Sequence, residues 1–204
     1  MRKEHMPEKK KIIECVPNFS EGRDSQKMER IVEPFRTQEG VKLLDYQSDR
    51  DHNRMVVTVL GEPGALKRAV VAAVGQAVEL IDLRNHEGQH PRMGAVDVVP
   101  FIPIKNVTMA EAIDLSRQVA AEVSKSYDLP VFLYEESATA SHRKNLAAIR
   151  KGQFEGMREK ISQTEWRPDF GPAQVHPSAG TVAIGARMPL VAFNVNLDTA
   201  NLDI

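Results

Sequence analysis

His86-Glu87-Gly88-Gln89-His90-Pro91-Arg92-Met93-Gly94 begins like the zinc-peptidase pattern H-E-x-x-H, and whether it is helix or loop decides the fold around it. The zinc pattern needs a continuous helix, with both histidines on one face a turn apart and the Glu as general base. Gly88 costs about 1 kcal/mol of helix propensity against Ala. Pro91 drives His90 out of the helical region, and its ring would strike the carbonyl of Glu87. No third ligand stands at a convincing spacing downstream. The stretch reads as an irregular loop crowded with His, Glu, Arg and small residues, with no metal expected.

Upstream of this loop, residues 12–16 read as a short strand ended by Pro17, and Asn18-Phe19-Ser20-Glu21-Gly22 as a turn-rich loop. Asp24 or Ser25 can cap a helix reaching about Phe35, with Met28, Ile31, Val32 and Phe35 on one face. Residues 41–45 and 55–60 are two apolar, strand-like runs joined by the polar connection Ser48-Asp49-Arg50-Asp51-His52-Asn53-Arg54. Pro63-Gly64 opens a helix to about Ile81, with apolar residues spaced by threes and fours. Downstream, residues 96–104 predict a strand that ends, or lies at an edge, near Pro100. Thr108 with Glu111 forms a capping box for a helix to about Tyr127. Residues 130–134 predict a strand, 141–162 one or two short helices, and 166–180 an irregular Pro- and Gly-rich segment. Residues 182–184 and 190–195 are two last strand-like runs. This order points to an α+β fold, a mixed β-sheet with α-helices packed on one face, as in a split βαβ layer.

Composition sets the bounds. The chain has 204 residues and a formal net charge of -1, which offers no electrostatic case for nucleic acid. It has no apolar signal region and no run long enough to span a bilayer, so no membrane partner is expected. The lone Cys15 sits in an apolar run and reads as a buried thiol, and the whole fits a cytoplasmic protein. Residues 1–11, rich in Lys and Glu, read as a disordered extension, 12–180 as the folded unit, and 181–204 as a strand segment leading onward. No Gly-rich phosphate loop is present.

Three islands occur in order: Glu14-Cys15-Val16-Pro17-Asn18-Phe19-Ser20-Glu21-Gly22; His90-Pro91-Arg92-Met93-Gly94-Ala95; and Trp166-Arg167-Pro168-Asp169-Phe170-Gly171-Pro172, continuing into Gly185-Ala186-Arg187 and Ala192-Phe193-Asn194-Val195-Asn196-Leu197. From about residue 12 to the end, the chain closely resembles the amino-terminal subdomain of glutamate formiminotransferase. The resemblance implies transfer of a formimino group from N-formimino-L-glutamate to tetrahydrofolate, in histidine degradation. Tetrahydrofolate would be a co-substrate, and no metal is implied. The family's unit carries a second subdomain, with substrates held between the halves. Implied partners are therefore a homo-oligomer or a separate chain carrying that half. The alternative is a non-catalytic module that binds folate or a protein, or one half of a split transferase.

The reaction needs an amine to attack an amidine-like carbon, so one nitrogen loses a proton and another gains it. Histidine suits both steps. The resemblance assigns that role to His90, whose plainer reading is a loop histidine bonded to backbone. Arg92 is a candidate for pairing a substrate carboxylate, or else an ion pair with Glu87 or Asp97 that pins the loop. Gly88 and Gly94 read as backbone devices and Met93 as core packing. Asn18, Asn53, Arg54 and Asp45 are further substrate-binding candidates. Asn18 and Ser20 can equally cap a turn, and His52, Asn53 and Arg54 can equally form a solvated hairpin tip. The resemblance implies an acidic residue where Gln47 stands, and Asp45 and Asp49 share its face only if the strand is regular. The stretch 171–180 resembles a folate-contacting segment, which makes Gly171, Pro172, Val175, His176, Pro177, Ser178 and Gly180 folate-binding candidates. Otherwise it is a connecting loop.

Overall fold

The computed structural model describes residues 10–190. β1 (Ile12–Cys15) and β2 (Asn18–Phe19) are two pieces of one strand, broken at Val16-Pro17. Both pieces pair antiparallel with β4 (Arg54–Gly61) on one side and β5 (Val96–Lys105) on the other. β3 (Val41–Asp49) is the hairpin partner of β4 and forms one edge. Beyond β5 lie β7 (Val182–Ala186) and then β6 (Val131–Glu135), all three mutually parallel. The spatial order is β3, β4, β1 with β2, β5, β7, β6, a mixed sheet of α+β type.

Three expectations change. Asn18 and Phe19 are strand rather than turn, because the chain rejoins the ladder after its break. β3 runs on to Asp49, since backbone pairing with β4 carries its polar residues through to Arg54. Most importantly, β5 neither stops nor lies at an edge at Pro100. The missing proline N–H is harmless there because Pro100 faces the break at Val16-Pro17, and its carbonyl still accepts from the Val16 amide at 3.3 Å. The strand-like run at 190–195 lies outside the described residues apart from Leu190, as does the amino-terminal extension apart from Lys10 and Lys11. Those two lysines pair with Glu62 and Glu111.

The first face of the sheet carries three helices. α1 (Ser25–Thr37) is capped by Asp24, whose carboxylate accepts from the Gln26 and Lys27 amides. α2 (Pro63–Leu80) begins on its proline, and α3 (Met109–Tyr127) carries the reciprocal Thr108–Glu111 box, a feature worth about 1 kcal/mol. Ile13, Cys15, Val57, Val59, Val99, Phe101, Leu133 and Ile184 alternate onto this face and meet Ile31, Phe35, Leu66, Val70, Val119 and Val123. Each such side chain contributes roughly 1.5–3 kcal/mol by leaving water. Burial pushes the Cys15 thiol well up, so it is not a ready nucleophile.

Two short helices, α4 (Leu146–Arg150) and α5 (Gln153–Ser162), cover part of the second face. Ile149, Met157 and Ile161 pack there on Val98, Phe132, Tyr134 and Ala183. Residues of β1, β2, β4 and β5 on this face stay open, which leaves a cleft beside α4. No helix among the described residues is long and apolar enough to cross a membrane.

Candidate active site

The cleft has a volume of about 550 Å³, within the usual range for small-molecule sites. Its floor is the alternate set of sheet residues: Glu14, Val16, Asn18, Arg54, Val56, Thr58, Val98, Pro100 and Tyr134. Asn145, Leu146 and Arg150 of the α4 region and Arg187 close its sides.

The 86–94 stretch is an irregular loop, preceded by a short 3-10 turn at Leu83–Asn85. Backbone bonds hold it and the residue that follows it to distant segments. His90 N–H donates to the His52 carbonyl at 3.3 Å and Phe154 N–H to the Arg92 carbonyl at 3.0 Å. Thr181 N–H donates to the Met93 carbonyl at 3.0 Å and Ala95 N–H to the Ala179 carbonyl at 2.8 Å. Gly94 is where the loop passes closest to its neighbour: a Cβ there would lie 1.9 Å from the Thr181 carbonyl oxygen.

His90 is 5% exposed, and its Nε2 lies 3.2 Å from Oδ2 of the fully buried Asp97. Oδ1 of Asp97 accepts from the Met93 amide at 3.1 Å, and Oδ2 also accepts from Arg150 Nη2. Burial alone would raise the Asp97 carboxyl, but the His90 bond, the Arg150 charge and the Met93 amide overcome it and hold it below the ordinary value. An ionised Asp97 fixes the proton of neutral His90 on Nε2. Nδ1, which has no hydrogen bond among the described residues, is then the basic nitrogen.

Arg92 is also buried, but its partner is neither Glu87 nor Asp97. Its guanidinium takes Glu155 in a fork at 3.0 and 2.7 Å, reaches Gln153 at 3.1 Å, and donates to the His86 carbonyl and ring Nδ1. The other nitrogen of His86 donates to the Asn53 carbonyl at 3.0 Å. Burial first, with the nearby Arg92 charge, pushes His86 below its ordinary value. This network locks the loop to α5.

The other candidates divide. Arg54 donates from two nitrogens to Asn18 Oδ1, and both line the cleft. Asn53, at φ 50°, accepts from the Gly22 amide and donates to the Glu87 carbonyl, so it staples three segments together. Its neighbour His52 is taken up by Asp49. Asp45 accepts from Gln47 Nε2 at 2.9 Å, opposite Thr58 and Val56. The irregularity in β3 falls before Asp45, so Asp45, Gln47 and Asp49 do share one face.

The 171–180 segment does not line this cleft. Val175 is buried in the core beneath α5, and Ala173, Gln174, Val175 and Pro177 border a different surface recess with Arg158 and Ser162. A Cβ on Gly171 or Gly180 would meet Ser124 Oγ at 2.4 Å or the Met93 carbonyl at 2.3 Å, so the side-chain direction at both positions is taken up by the chain. His176 Nδ1 accepts from the Ala179 amide and Ser178 accepts from the Leu83 amide, while Pro172 is exposed.

Sequence reasoning missed Asp97 as a partner of His90, and missed Arg150 and Glu155. Asp97 did carry a signal: a carboxylate inside Ala95-Val96-Asp97-Val98-Val99 is costly to bury unless something pairs with it. Arg150 ends a five-residue helix, too short to show a period.

A family model for the formiminotransferase domain, N-terminal subdomain, matches residues 12–187. A glutamate formimidoyltransferase of Streptococcus pyogenes serotype M1 is 52% identical, over 95% of this chain and 65% of its own length. One from Thermoplasma acidophilum is 43% identical, over 95% of this chain and 64% of its own. A formimidoyltransferase-cyclodeaminase of Dictyostelium discoideum is 46% identical, over 92% of this chain and 35% of its own. The chain thus spans just under two thirds of the first kind of relative and about a third of the second.

Proposed function

The chain belongs to the formiminotransferase family through the N-terminal subdomain, and from that premise we propose that it moves a formimino group from N-formimino-L-glutamate to tetrahydrofolate. The observation that carries this reading is the buried His90–Asp97 pair beside a cleft lined by Asn18, Arg54 and Arg150. Bound tetrahydrofolate supplies the attacking amine. His90 accepts the proton released from that nitrogen on Nδ1, and Asp97 stabilises the imidazolium through Nε2. The same Nδ1–H then protonates the departing glutamate nitrogen, so the proton count closes within one histidine.

Arg54 and Asn18 orient substrate, while Arg92 and Asn53 act indirectly by fixing the loop that carries His90. We assign the flat folate ring to the apolar part of the cleft floor, Val16, Val56, Val98 and Pro100. The absence of 171–180 from the cleft lining and the close chain contacts beside Gly171 and Gly180 weigh against that segment as the cradle. Self-association belongs to the same proposal, because Leu44, Ile104, Met188 and Leu190 remain exposed. Light scattering over a range of concentrations tests it, and a strictly monomeric protein counts against it.

The direct test of function is incubation of the purified chain with N-formimino-L-glutamate and tetrahydrofolate, following the folate product by absorbance. Product that depends on both substrates is expected. No product, with the chain folded, overturns the assignment.

A further inference from the structure

We propose that Arg54 and Arg150 form a carboxylate-binding subsite in the cleft, and that Arg150 ties occupancy of that subsite to the Asp97–His90 pair. The natural ligand, an amino dicarboxylate, rests on the transferase reading above; the subsite rests on the charge arrangement.

Arg92, the arginine singled out by sequence, is not available for this task. All three of its nitrogens are engaged, and Glu155 already fills its fork. Arg54 is different. It is half-buried, its hydrogen-bond acceptor is the neutral amide oxygen of Asn18, and it makes no ion pair among the described residues. Arg150 is 21% exposed on its side chain and gives one nitrogen to Asp97, while its Nε is buried with no partner.

Burial first and the Arg150 charge second weigh against the Arg54 cation, with only Asp97 and Asp49 opposing them. Asp97, the carboxylate that pairs Arg150, is also committed to His90, and Arg54 feels it only through space. Glu14 and Glu135 line the same cleft but make no ion pair with either arginine among the described residues. Buried charge is expected to be paired, and a ligand carboxylate reaching Arg54 and the unused edge of Arg150 completes the set.

The coupling follows from Asp97 Oδ2, which His90 Nε2 and Arg150 Nη2 both approach. An incoming carboxylate competes for the Arg150 charge and leaves Asp97 more fully to His90. Filling the subsite thereby prepares the proton-handling group. Arg150 is a positioning residue for His90 in this scheme, as well as a binding group.

The test uses glutarate as probe, with calorimetry for affinity and NMR of the histidine rings for coupling. Wild type is expected to bind glutarate. Arg54→Met and Arg150→Met should each weaken it by about 10- to 100-fold, the loss of a charged hydrogen-bond pair. Glutarate should shift the His90 imidazole resonances in wild type and fail to do so in Arg150→Met. Arg150→Lys keeps the charge without the fork, so it should retain part of the affinity while losing the His90 response. That variant carries the test if Arg150→Met does not fold. Undiminished affinity in the Arg150 variants, or unmoved His90 resonances in glutarate-saturated wild type, would overturn the proposal. Intact glutarate binding without transferase turnover would instead remove the transferase reading and leave the subsite standing.

Discussion

Asp97 has no exposed surface, and its Oδ2 lies 3.2 Å from His90 Nε2. The same carboxylate also holds Arg150 and the Met93 amide, so it joins the loop, β5 and α4 at one point. Its carboxyl is held below the ordinary value, which makes the ionised form a stabilising one. That stability is complete above the unfolded carboxylate pKa of about 3.9 and is lost as pH falls through the lower folded value. Asp97→Asn should therefore cost about 3 kcal/mol at neutral pH, the scale for breaking a buried ion pair from one side. It should also flatten the acid limb of the stability curve below about pH 4. Urea midpoints across the acid range check both effects. An unchanged acid limb would mean that Asp97 is not the group being titrated.

Gly94→Ala tests the loop's close approach to Thr181, the residue before β7. The added methyl would sit 1.9 Å from the Thr181 carbonyl oxygen, and that atom is backbone, so it cannot simply rotate away. The expected cost is about 3 kcal/mol or more, at the upper end for overpacking. Denaturant unfolding measures it. A loss under about 0.5 kcal/mol, the range of ordinary surface substitutions, would contradict the packing described.

Lys160 ends α4 from a distance. Its ammonium donates to the carbonyls of Ala148, Ile149 and Lys151 and lies 4.0 Å from the centre of the Trp166 ring. Lys160→Met keeps the aliphatic length but frees those carbonyls at the turn that carries Arg150. A destabilisation of about 1–2 kcal/mol is expected, with weaker glutarate binding because Arg150 loses its anchor. Thermal melts and calorimetry measure the two effects. Unchanged affinity would separate α4 from the site.

Much of this architecture is legible without coordinates. Gly88 and Pro91 rule out a helix at the signature loop, and the Thr108–Glu111 box and the Asp24 cap mark helix starts that the structure keeps. What local reading misses is set by distant contacts. Pro100 looks like a strand terminator until the break at Val16-Pro17 is found opposite it. Arg92 reads as a substrate group or as a partner of Glu87 or Asp97, and it is Glu155, far along the chain, that occupies its fork. Gly171 and Gly180 read as part of a ligand cradle or of a connecting loop, and that Ser124 and Met93 stand where a Cβ on them would go shows only in the folded chain. In each case the deciding partner lies far off in sequence, where periodicity and turn chemistry carry no information.

The measurement closest to the centre of this account is transfer from N-formimino-L-glutamate to tetrahydrofolate by His90→Ala beside wild type, with circular dichroism on both. His90 acting as acid and base predicts a rate lower by about 10²- to 10⁴-fold, with an unchanged spectrum. Wild-type turnover in the folded variant would contradict the role of the His90–Asp97 pair outright.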